Sequence, residues 1–320
     1  MSGLVLSHPV NRMTRLPVVV ALGGLMPIAL ALDVPAARAT EGGGQQYAIG
    51  VDTADPAMLP PPGGSMFLNY SVGYWAGRLN DGQGNSARPG FGVNVVADAV
   101  KLVHTWGRVG GVDVASGIVN TVANTDLTVV PGHVEGNDFG LADTCLLPVM
   151  LHAEVGHGLH LGFAANVWVP DGDYSRHNPA SLGFNRTSVG FQVITTWLPD
   201  DRWDLSTSTM VELGAKNQAT DYYSGTYVDT DFQVGYRFFE AVPKLQLGIQ
   251  GYYLQQVEDD RIAGQPAFGT GYRGMAVAVG PQIRYDAWDH GAIIMKWQHE
   301  LSSENRARGD RLWVQLGVPF

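Results

Sequence analysis

The densest chemistry in the chain lies in one short run, His152-Ala-Glu-Val-Gly-His157, with His160 close behind. Imidazoles and a carboxylate grouped in this way invite a zinc reading. A helical zinc-protease motif needs two histidines one turn apart with a glutamate beside the first. Here the histidines are five apart, Glu154 is displaced, and Gly156 and Gly158 break any helix. The run reads better as a strand ending at Glu154, a Gly-His-Gly turn and a strand restarting at Leu159, which lets His152, Glu154 and His160 share one side near a turn. A second group, His299 with Ser302 and Ser303, has the parts of a nucleophilic centre, but no third residue that would orient the histidine is evident. Asp171, Asp173, Asp221, Asp259 and Asp260 give acidic, turn-rich stretches that serve either as solvated surface or as weak sites for divalent cations. Asp229, Asp231, Arg237, Arg284, Lys296 and Glu300 interrupt otherwise apolar stretches, and a mixed-sign set of this kind would brace or steer if it faced one interior. Cys145 is alone, which excludes an intrachain disulfide and a cysteine zinc site. No cofactor is expected, and no set of residues supports an enzyme.

These side chains need elements to hold them, and the elements are strands. The last ten residues, Arg311 to Phe320, put Leu312, Val314, Leu316, Val318 and Phe320 on one face and Gln315, Gly317 and Pro319 on the other. A soluble domain has little reason to end on an exposed phenylalanine. A barrel in a membrane does, because its last strand must close against its first with one face in lipid. The 41 glycines, 10% aromatic and 16% charged residues favour strands and tight turns over helices.

From Met66 onward, segments of period two alternate with turn-rich stretches, and twelve strands are expected near 66–76, 94–106, 111–122, 141–155, 159–169, 188–198, 203–215, 227–238, 245–257, 273–285, 292–302 and 311–320. In 228–238, Val228, Thr230, Phe232, Val234, Tyr236 and Phe238 share a face opposite Asp229, Asp231, Gln233, Gly235 and Arg237. The period places Arg284, Lys296 and Glu300 on inward faces too. It is weakest over 94–122, where the register is open by one residue.

The connections expected from Gly77 to Gly92, Ala123 to Phe139, Pro170 to Thr187, Lys216 to Thr226, Glu258 to Tyr272 and Ser303 to Asp310 are long, and those between them are short. Short periplasmic turns and long external loops produce that alternation. Aromatics sort with it: Trp106, Trp197, Trp203, Phe238, Tyr285 and Trp288 lie beside the short turns, and Tyr74, Trp75, Trp168 and Tyr253 toward the long loops, as two interfacial belts would require.

Arg12 and Arg15, an apolar stretch from Leu16 to Leu32 and Ala37-Arg38-Ala39 read as an export signal cleaved after Ala39. The signal would thus occupy residues 1–39. Residues 40–64 are Gly/Pro-rich and unfit for a central strand, so they form either a periplasmic tail or a plug tucked into the lumen, and the barrel follows over 65–320. Removing the signal's three arginines and one aspartate shifts the net charge from −10 to −12, a poor match to nucleic acid.

Thr40-Glu-Gly-Gly-Gly44 with Tyr47, Leu59-Pro-Pro-Pro-Gly63, Arg78-Leu-Asn-Asp81, Pro170-Asp-Gly-Asp-Tyr174, Glu304-Asn305, Gly309-Asp310, Trp313 and Pro319-Phe320 together resemble the phenol meta-pathway degradation family of outer-membrane β-barrel proteins. Asp171 departs from the small hydroxyl residue expected there. The family is itself related to the porin that secretes functional amyloid. The resemblance implies an all-β transmembrane antiparallel barrel in the bacterial outer membrane and passive uptake of small hydrophobic or aromatic compounds. It supplies no catalytic residues. Two alternatives stay open: a secretion or assembly pore for a protein partner, and a lipid hydrolase built around His299. The expected partners are outer-membrane lipid, the small solute, and the barrel-assembly machinery, with Phe320 resembling the terminal aromatic that this machinery reads.

Overall fold

A strand with one apolar and one polar face is stable in a bilayer only when its sheet closes, because an open edge would leave backbone N–H and C=O groups unpaired in hydrocarbon. The computed structural model describes residues 44–129, 134–289 and 291–320. The expected export signal over 1–39 and the first residues of the segment that follows it lie outside the described residues.

Twelve strands form one closed antiparallel barrel: β1 Ser65–Leu79, β2 Gly92–Val109, β3 Val112–Val129, β4 Thr144–Gly156, β5 Leu159–Val169, β6 Ser188–Trp197, β7 Trp203–Gly214, β8 Tyr227–Tyr236, β9 Leu245–Gln256, β10 Met275–Trp288, β11 Gly291–Glu304 and β12 Ala307–Pro319. Each pairs with its sequence neighbours, and β1 closes on β12 from Met66 opposite Pro319 to Leu79 opposite Ala307. No helix among the described residues is long and apolar enough to cross a membrane.

Two expected external loops are strand instead. β3 continues to Val129, and the chain returns over Val134–Leu141 antiparallel to its outer half. Between β11 and β12 only Asn305 and Arg306 remain, with Asn305 in the left-handed region at φ 49°. The sequence period marks where side chains stop meeting lipid. The hydrogen-bonded ladder has no reason to stop there and runs on into water. The other external connections are long, and those around residues 216–223 and 261–266 pair into a small four-stranded sheet.

Pro148 lies within β4, where the register against β5 shifts between Leu146 and Val149, as a residue without an N–H requires. Val193, Val234, Ile249, Ile283 and Met295 face outward and are exposed, whereas Gln192, Gln233, Gln250, Gln282 and Lys296 face inward and are buried. Trp106, Trp197, Trp203, Phe238 and Tyr285 are exposed beside the short turns, and Trp75 and Tyr253 toward the long loops. Two members of the expected outer belt do not belong to it. Trp168 is buried inside against Gly190, and the Tyr74 hydroxyl donates to the inward Glu300 at 3.2 Å.

Candidate functional site

The segment preceding β1 brings backbone amides and carbonyls that no strand pairs, so each needs a side-chain partner. The inward faces of β6–β12 provide them. Starting level with the external ends, Gln46 and Tyr47 donate their amides to Glu212 of β7 at 3.0–3.1 Å, and the Gln46 side chain donates to Asp143 at 2.6 Å. Halfway down, Asp231 of β8 accepts from the Gly50 amide at 2.7 Å, the Asp52 amide at 2.9 Å and the Tyr47 hydroxyl at 3.0 Å. Lys296 of β11 donates to the Val51 carbonyl and the Thr53 hydroxyl, both at 2.8 Å, and Gln315 of β12 donates to the same carbonyl at 2.9 Å. Gln298 donates to the Gly50 carbonyl at 3.0 Å, and Gln192 to the Asp52 carboxylate at 2.7 Å. Lower still, Asp55 pairs with Arg284 of β10, which also reaches Asp286 at 2.7 Å. Finally, Gly63 and Gly64 exchange backbone bonds with Thr105 as the chain turns into β1.

Gly50 is required at its place. It adopts φ +82°, and a Cβ there would stand 2.4–2.7 Å from the Gln298 amide. Tyr47 and Ile49 pack with Val103, Ala115, Leu147 and Met150, an apolar strip on the inner side of β2–β4, and Val51, Leu59, Leu68 and Val119 add to it. The segment therefore meets polar groups on one side and an apolar wall on the other.

The residues singled out in the sequence fall at distinct places. Asp229, Asp231, Lys296 and Glu300 are buried in the interior. Glu300 accepts from Tyr252 at 2.6 Å and from the Gly309 amide at 2.6 Å, while Arg311 lies 3.6 Å away between the Tyr74 and Tyr252 rings. Arg284 is at the periplasmic end of the interior. Arg237 lies one residue beyond β8, at the rim, where it pairs with Asp286 at 2.7 Å. His152 and His160 meet at 3.1 Å, and the other His152 nitrogen faces Asp113 at 3.0 Å. Glu154, exposed at the mouth, takes no part in those contacts. Among the described residues no three His, Cys, Asp or Glu side chains form a metal site.

On the outer wall His299 has a partner the sequence did not reveal, Asp310 at 2.8 Å, while Ser303 points inward and donates to the Arg306 carbonyl. The loop acids are occupied locally. Asp171 accepts from the Thr144 amide, Asp173 from the Leu141 amide, and Asp221 pairs with Lys216. Hydroxyl donors Tyr223 and Thr226 hold the Glu258 carboxyl below the ordinary range, and burial raises that of Asp260 above it.

Asp113, Asp310 and Glu212 were missed because each lies across a strand pair or against a distant segment. Strand alternation puts Glu212 on a face with Asp204, Ser206 and Ser208, and Asp113 on a face with Ala115 and Val119, which points to no partner for either.

A family model described as "Putative MetA-pathway of phenol degradation" matches residues 76–316. Among solved structures, the COG4313 outer membrane channel from Pseudomonas putida F1 superposes with a TM-score of 0.75 at 16% identity, covering 84% of this chain and all of that one. The β-domain of the Bordetella autotransporter BrkA gives 0.51 at 12% identity, with 81% and 100% covered. No curated protein matches the chain.

Proposed function

The chain belongs to the family whose model spans its barrel, described as "Putative MetA-pathway of phenol degradation", and on that premise we propose that it is an outer-membrane channel for passive uptake of small hydrophobic or aromatic compounds. One observation carries the reading beyond kinship. An apolar strip formed by Val103, Ala115, Leu147 and Met150 lines the interior beside the N-terminal segment. At rest the strip packs with Tyr47 and Ile49, and where the segment yields, an apolar solute gains from leaving water along it. The similarity to a solved outer membrane channel, at 16% identity, supports the fold of this reading.

In this reading residues 44–64 are a plug that narrows the lumen at rest, and passage requires part of it to yield. Uptake of radiolabelled toluene and phenol by cells with and without the gene tests the channel directly. Equal uptake by both strains would remove it. Planar-bilayer recordings of the full chain and of a chain lacking residues 44–59 test the plug, with higher conductance expected from the shortened form.

The hydrolase reading needs a nucleophile on the His299–Asp310 pair. Fatty-acid release from phospholipid by the detergent-solubilised protein would revive it. Phe320, largely exposed at the periplasmic end, serves in this proposal as the terminal aromatic presented to the assembly machinery. Deleting it should lower outer-membrane levels while leaving uptake per inserted molecule unchanged.

A further inference from the structure

Three acids stand in succession on the inner wall of β7 and β8. Glu212 lies opposite Tyr227, and Asp229 and Asp231 follow at alternate positions down β8. The N-terminal segment treats them unequally. Glu212 receives the amides of Gln46 and Tyr47, and Asp231 receives those of Gly50 and Asp52 with the Tyr47 hydroxyl. Asp229, between them, receives nothing. It is fully buried, and neither carboxylate oxygen has a hydrogen-bond partner. Its cross-strand neighbours are Met210 and Leu254, both fully buried and neither able to donate usefully. Two positions along the same face, the Tyr227 hydroxyl is also buried and unpartnered. The charges acting on Asp229 are those of Asp231, Glu212 and Asp52, with Arg306 as the opposing cation.

A carboxylate that accepts nothing in such surroundings is costly, and the cost falls when a cation with N–H donors joins it. A primary ammonium has three donors and no acceptor, matching an acceptor-only carboxylate. Tyr47, Tyr227 and Tyr252 belong to the same buried cluster and add aromatic faces for the cation and for an apolar body attached to it. We propose that Asp229 is the luminal binding point for the protonated amino group of a small aromatic or apolar amine. This rests on the channel reading and narrows its solute class: the amine lodges where the segment leaves an acid unserved, its apolar part lying toward the inner strip.

Isothermal titration of the full-length protein in detergent at pH 7 tests the assignment, with 2-phenylethylammonium chloride, the neutral 2-phenylethanol and KCl as probes. The amine should bind saturably and about ten- to a hundredfold more tightly than the alcohol, the range of a charge-assisted hydrogen bond. Asp229→Asn should abolish that preference without weakening alcohol binding, and Asp229→Glu should keep it; heat-modifiable electrophoretic mobility verifies that both variants are folded. Equal binding of amine and alcohol, an amine preference that survives in Asp229→Asn, or displacement of the amine by KCl at matching concentration would each overturn the proposal. Toluene uptake is scored separately. Its loss in the gene deletion bears on the channel, and the titration bears on Asp229.

Discussion

Across β8–β11 the polar side chains face the interior: Asp229, Asp231, Gln250, Gln282 and Lys296 are buried there, while Val234, Ile249, Ile283 and Met295 face outward. Across β1–β4 the middle of the wall is turned the other way. Val103, Ala115 and Leu147 are inside, and Asn69, Ser71, Asp98 and Asn120 are outside. Asp98 is not left bare in that position. Asn69 donates to both its oxygens at 3.0 Å, and Ser71 donates to it at 2.5 Å. The two walls share one backbone geometry and one period, so the pattern alone does not determine which face is polar. What differs is what lies against them. The N-terminal segment turns its unpaired backbone groups and the Tyr47 hydroxyl toward β6–β12, and Ile49 joins the apolar cluster that includes the strip.

The contrast can be broken from the polar side with the largest effect. Lys296→Ala removes the only cation bonded to the Val51 carbonyl among the described contacts, leaving Asp231 and Asp52 without it. A loss of about 3–5 kcal/mol is expected, as when one partner of a buried charge set is deleted. Urea titration in vesicles, followed by tryptophan fluorescence, measures it. Next, the outward faces should differ in tolerance. Val234→Lys places a charge on the lipid face of the apolar-out wall and should cost about 2–4 kcal/mol if it lies near the bilayer midplane. Asp98→Leu on the other wall should change stability by no more than about 1 kcal/mol, since the lost bonds and the lost lipid exposure of a carboxylate offset one another. If the two substitutions cost the same, the walls are not distinct in the way described. At Gly50 the expected effect on stability is smaller than at Lys296 or Val234. Gly50→Val imposes a β-branched residue at φ +82° and a clash with Gln298, costing about 1–2 kcal/mol from the backbone term. Its effect falls on the segment, so bilayer conductance should rise and protease should cut near residue 50 more readily.

Much of the fold was legible because a membrane imposes a strict period. All twelve strands, the β1–β12 closure and the inward faces of β8 and β9 follow from alternation. The sequence was least decisive over 94–122, where the structure shows why: Val95, Ala97 and Val103 on one face and Val96, Val100 and Leu102 on the other give nearly equal apolarity. Tyr74 and Trp168 were assigned to a belt because aromatics near strand ends usually occupy one, and period alone does not tell lipid from a packed interior. The path of residues 44–64 was open as well. Glycine and proline excluded regular structure there, but Gly50 against Gln298, Lys296 against Val51 and Glu212 against Tyr47 each join residues more than 160 positions apart.

The course of that segment also constrains how the barrel can be made. The chain enters the described structure level with the external loops, descends through the interior and only then forms β1, the strand on which β12 must close. Closing the wall first would leave the segment to be threaded through a finished cylinder. Laying it against β6–β12 while the sheet is still open lets Glu212, Asp231 and Lys296 hold it in turn, so the last zipper of backbone pairs seals the cylinder around a strand of chain already in place. Insertion and filling of the barrel would then be one event.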